Sequence, residues 1–93
     1  MKIIYEESFV SRLEKQLKHI TKDNPSAAKK FKKEILSRIK EIPKYPEIYR
    51  KSIYSNDSSV KDLIYKGYTV VFKIEPSQIN VFGFLKHQEN PTD

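Results

Sequence analysis

A chain of 93 residues is read as one domain with one hydrophobic core, because a polypeptide this short buries too little surface to support two. It contains no cysteine, which excludes disulfide staples, thiolate metal sites and a cysteine nucleophile, and its two glycines leave no glycine-rich loop to cradle a phosphate. Eighteen Lys and Arg against 12 Asp and Glu give a net charge of +6, which favours polyanionic partners such as nucleic acid or an acidic protein.

Residues Lys2 to Tyr5, KIIY, are β-branched and aromatic and predict a strand that joins the main sheet. Ser8 is the expected N-cap of a first helix of about three turns. Phe9, Leu13, Leu17 and Ile20 recur at helical spacing on its inner face, with Arg12, Lys15 and Lys18 elsewhere. His19 flanks that stripe with no second ligand at helical spacing and is read as a surface histidine. The pattern breaks from Thr21 to Asn24, and Asn24-Pro25 restarts it, asparagine capping and proline giving up a donor that has no partner in a first turn.

The second helix carries Ala28, Phe31, Ile35, Ile39 and Ile42 on one face and lysines on the others, and Pro43 ends it. So short a connection predicts an antiparallel helical hairpin laid over one face of the sheet. From Pro43 to Ser58 the chain reads as a loop with a short strand around Tyr49 to Tyr54.

Three runs follow, Val60 to Tyr65, Tyr68 to Ile74 and Gln78 to Lys86, separated by Lys66-Gly67 and Glu75-Pro76-Ser77, which is the pattern of an antiparallel meander. In the middle run Tyr68, Val70, Phe72 and Ile74 share a face. In the last, strict alternation groups Ile79, Val81, Gly83 and Leu85 against Asn80, Phe82, Phe84 and Lys86. Both sets are apolar, which predicts an interior strand, and Gly83 within it predicts a bulge or a close backbone approach. The fold class is therefore α/β (α+β), a sheet with both helices on one face.

No stretch approaches the ~18 to 20 apolar residues of a membrane span, and MKIIYEES lacks the sustained apolar region of a secretion signal, so the expected setting is the cytoplasm, with no membrane partner. No metal spacing, nucleotide loop or serine elbow is present, and no cofactor is expected. What remains is a mixture of basic and aromatic residues around the meander: Lys44, Tyr45, Tyr49, Arg50, Lys51, Tyr54, Lys61, Tyr65, Lys66, Lys86 and His87. Cations neutralise phosphates and tyrosines stack on bases. For metal-free RNA cleavage, Lys61, Lys51 and Arg50 are the candidates to hold phosphate and His87 is the candidate acid or base.

The order strand, helical hairpin, basic loop, meander resembles the ParE/RelE superfamily, the toxins of type II toxin–antitoxin modules, over almost the whole chain. The resemblance rests on Ile42-Pro43 followed by Tyr45-Pro46, on Val60-Lys61-Asp62-Leu63, on the strand Gly67 to Ile74, and on the ending Leu85-Lys86-His87-Gln88-Glu89-Asn90-Pro91. It implies a cognate antitoxin, expected to be acidic, in a hetero-oligomeric complex. It also implies one of two targets. RelE-like members cleave mRNA on the ribosome using lysines and arginines, whereas ParE-like members inhibit DNA gyrase and are not nucleases.

The ending His87-Gln88-Glu89-Asn90-Pro91 is similar to that of ParE-like plasmid-stabilisation proteins. Lys61 stands where RelE-like nucleases have an arginine, and Gln88 where a basic residue often follows. An ammonium cannot reproduce the bidentate grip of guanidinium on phosphate, so both departures favour an inhibitor that binds DNA gyrase over a ribosome-dependent mRNA nuclease. A third reading is a member that only binds its antitoxin.

Overall fold

The computed structural model describes residues 1–86. The chain runs β1 (Lys2–Tyr5), α1 (Glu7–Asp23), α2 (Pro25–Lys40), two 3₁₀ turns (Ile42–Lys44 and Pro46–Ile48), β2 (Arg50–Lys51), β3 (Val60–Tyr65), β4 (Tyr68–Ile74) and β5 (Gln78–Lys86). The strands form a single sheet in the order β1-β5-β4-β3-β2. Only β1 is parallel to its neighbour, because α1 and α2 carry the chain across the sheet before the antiparallel meander begins.

The three meander strands have the bounds their composition predicts, and β5 is interior, flanked by β1 and β4. Lys66 (φ 45°) and Gly67 (φ 82°) both occupy the left-handed region, as a two-residue hairpin of type I′ requires, between the paired Tyr65 and Tyr68. The short strand anticipated between Tyr49 and Tyr54 is present as β2, a charged two-residue edge that offers little template for a further strand.

Besides the end of α2, which closes at Lys40 so that the buried Ile42 and then Pro43 lie in the following 3₁₀ turn, three local expectations are corrected. Helix α1 has 17 residues, nearly five turns rather than about three, because Thr21 donates its hydroxyl back to the Leu17 carbonyl at 2.7 Å and stays within the helix. Ser8 is not its N-cap. Glu6 holds that position and its carbonyl accepts from Phe9 and Val10, while the Ser8 hydroxyl donates to the Phe82 carbonyl at 2.6 Å.

The third correction concerns Phe84. The register between β4 and β5 slips at Val71/Phe72, so that Val71 faces Gly83 and Phe72 faces Val81, which leaves Phe82 as the extra residue of a bulge. The bulge reverses the alternation: Ile79, Val81 and then Phe84 turn to the helices, while Phe82 is exposed on the other face. Gly83 sits where a Cβ would lie 2.8 Å from that of Val71, so both meanings anticipated for this glycine apply.

Asn24 is the entire connection between the helices. It ends α1 and caps α2, its side chain accepting from the Ala27 amide at 3.1 Å, with Pro25 at the first helical position. The hairpin covers one face of the sheet. Phe9, Ile35 and Ile39 of the helices meet Leu63, Val70, Phe72, Ile79 and Val81 of the strands in one fully buried cluster. Aromatic rings continue it, Phe9 edge-on to Phe84 at 5.9 Å and Phe31 tilted against Tyr68 at 5.0 Å. Each such side chain contributes about 1.5–3 kcal/mol of burial, so this seam carries the stability of a chain without staples.

Candidate functional site

Pairing β2 with β3 brings three of the four predicted site residues together. Arg50 faces Asp62 and Lys51 faces Lys61 across the ladder. Alternation then separates the pairs. Lys61 shares the helix-side face with Leu63 and Tyr65, while Asp62 lies on the helix-free face.

Asp62 was not a predicted site residue, and it decides what Arg50 can do. Its side chain is fully buried, and Oδ2 accepts from Arg50 Nη2 at 3.1 Å, Arg50 Nε at 3.3 Å and the Ile53 amide at 3.3 Å. Oδ1 has no hydrogen-bond partner among the described residues. A buried carboxylate that loses its cation is costly, so the Nε and Nη2 edge of the guanidinium serves the fold, while the Arg50 side chain stays half-exposed. The available signal was an acid inside the strand-forming run Val60 to Tyr65, two positions after buried Val60 and one before buried Leu63.

Lys51 and Lys61 differ from Arg50. Neither forms an ion pair among the described residues, and as directly opposed like charges they repel. An anion placed between them would relieve that repulsion. His87 lies outside the described residues; the last described residue, Lys86, pairs with Tyr68 at the far end of β4 from Lys61, which faces Phe72. From strand rise and spacing, Lys61 and Lys86 are on the order of 15 Å apart.

The tyrosines divide in two. Tyr65 is buried beside Phe31, with Arg38 5.6 Å and Lys66 5.5 Å from its ring centre, and Tyr49 packs edge-on to Phe72 at 5.5 Å. Both serve the core. Burial raises the Tyr49 hydroxyl above its usual 10, with Arg38 pulling it down and Glu41 adding to the rise, so it keeps its proton at neutral pH. Tyr45 and Tyr54 are the exposed pair.

A second surface is apolar. Between α1, α2 and β1 lies an open groove of about 370 Å³ whose walls include Tyr5, Val10, Leu13, Leu17 and Leu36, with Lys32, Lys40 and Glu14 beside them. The amphipathic stripe of α1 is wider than the sheet can cover, and Val10 and Leu17 remain half-buried in this groove.

Among the described residues no group of His, Asp and Glu could hold a metal ion, and no helix is long and apolar enough to cross a membrane. The fold closely matches a solved structure described as the chromosomal ParDE toxin–antitoxin system from P. aeruginosa, with a TM-score of 0.78 at 14% identity over 95% of this chain and 97% of that one. No curated protein matches the chain. The family model described as ParE toxin of type II toxin–antitoxin system, parDE, matches residues 3–91, and the chain therefore belongs to the ParE toxin family.

Proposed function

We propose that this type II toxin acts by binding rather than by catalysis, holding an essential nucleic-acid enzyme of the DNA gyrase class, and that a cognate acidic antitoxin neutralises it. The observation that carries this reading is the Arg50–Asp62 pair: the one arginine among the predicted phosphate-holding residues is tied to a fully buried carboxylate. Metal-free RNA cleavage needs several cations converging on one phosphate together with an acid and a base. Membership in the ParE family supports the same side. Induction in cells, followed by primer extension on abundant messages, tests the reading. Intact messages are expected, and discrete cuts within codons would replace it with the nuclease reading.

One observation favours that second reading: Lys51 and Lys61 are opposed across the β2–β3 ladder with no acid paired to either. A ribosome-dependent nuclease built on them would use His87 as acid or base, with Arg50 ordering the edge.

For the antitoxin, the groove on the helical hairpin has the matching chemistry. An amphipathic acidic segment can lay its apolar side on Val10, Leu13, Leu17 and Leu36 while its carboxylates meet Lys32 and Lys40. Such a segment folds on contact, and the net charge of +6 speeds its approach.

A further inference from the structure

The outer side of α1 faces β5 across an open cleft of about 820 Å³, and among the described residues its polar lining is Arg, Lys, Gln and His, with no acid. Arg12, Lys15, Lys18 and Lys22 come from α1 and Lys86 from the end of β5, with His19 between them. The spacings of three, three and four residues place the α1 cations along the helix, and Arg12 to Lys22 spans about 15 Å at 1.5 Å per residue. All five cations are exposed, and none joins an ion pair among the described residues. The acids of α1, Glu7, Glu14 and Asp23, do not line the cleft.

We propose that this cleft is a track for the phosphodiester backbone of nucleic acid, bound without regard to sequence. Charges along one strand of duplex DNA recur about every 3.4 Å, so a 15 Å row of cations spans about four phosphates. The cleft offers a protein segment few apolar side chains as anchors. Its apolar contribution is Phe84, which is buried, and Leu85, which is half-buried, whereas specific protein contacts centre on apolar anchors. Such anchors lie on the opposite side of α1, where Val10, Leu13 and Leu17 line the hairpin groove. One helix therefore presents an apolar side suited to a protein segment and a cationic side suited to a phosphate chain. The inference is independent of which enzyme the toxin inhibits.

Fluorescence anisotropy of the full-length toxin with a labelled, mixed-sequence 20-base-pair DNA duplex tests it. Binding is expected at 50 mM salt, with the logarithm of affinity falling against the logarithm of salt concentration at a slope of about −4 for four to five phosphates. Reversing three cleft charges together (Arg12→Glu, Lys15→Glu, Lys22→Glu) should weaken binding more than tenfold and flatten the slope to about −1 to −2. A control carrying the same change in net charge on α2 (Lys29→Glu, Lys30→Glu, Lys33→Glu) should stay within about threefold of wild type. Alanine at the same three cleft positions, which preserves helix propensity, replaces the reversal variant if that one fails to show the wild-type circular dichroism. The proposal is overturned by an absence of binding at 50 mM salt or by equal loss in the cleft and control variants.

Discussion

Asp57 organises the turn that delivers the chain into β3. Its Oδ1 accepts from the Ser59 amide at 2.9 Å and the Ser59 hydroxyl at 2.6 Å, and Oδ2 lies 3.2 Å from Lys73 Nζ. These contacts, the Ser59 hydroxyl first, lower the carboxyl from 3.8 to about 2. Folding thus favours the ionised form: the stabilisation is present above pH ~4 and lost as pH falls through about 2. Asp57→Asn should flatten the fall in stability between those values, as read by urea unfolding at pH 5 and pH 2.5. An unchanged pH dependence would show that the contacts do not persist in solution. Arg50 supports a second residue-scale prediction. Arg50→Ala leaves the buried Asp62 carboxylate with only the Ile53 amide and should cost about 2 kcal/mol in urea unfolding, whereas Lys51→Ala, which relieves a like-charge opposition, should cost nothing or stabilise slightly.

Among the elements, β5 concentrates the structural demands. Its bulge sets the face of Phe84, its Phe82 carbonyl takes the Ser8 hydroxyl, and Gly83 leaves room for Val71. Gly83→Ala should therefore destabilise the protein by about 1–3 kcal/mol through overpacking, despite the usual penalty for glycine in a strand. A stabilised variant in denaturant unfolding would contradict the close approach. Helix α1 carries the next prediction. Leu17→Glu with Leu36→Glu, both half-buried in the hairpin groove, should weaken the antitoxin complex at least tenfold in calorimetry and leave the fold intact.

At the level of the whole molecule, periodicity placed both helices, and the Lys66-Gly67 and Pro76-Ser77 signals bounded the meander strands, because those features are local. The face of Phe84 was not legible, since one bulge residue reverses alternation and depends on a contact between strands. Nor was the commitment of Arg50, which follows from a ladder register joining positions twelve residues apart. Composition named the basic residues of the site, while topology separated an arginine paired to a buried acid from two opposed lysines. As proposed, the toxin binds its target, uses one face of its helical hairpin for the antitoxin and needs no phosphate-holding arginine. Inhibition of DNA gyrase supercoiling by the purified toxin, compared with a Lys51→Ala, Lys61→Ala variant, measures this most directly. Both are expected to inhibit within about threefold of one another, because neither lysine then holds a scissile phosphate. Failure of the wild-type toxin to inhibit, together with codon-positioned mRNA cuts that vanish in the variant, would contradict it.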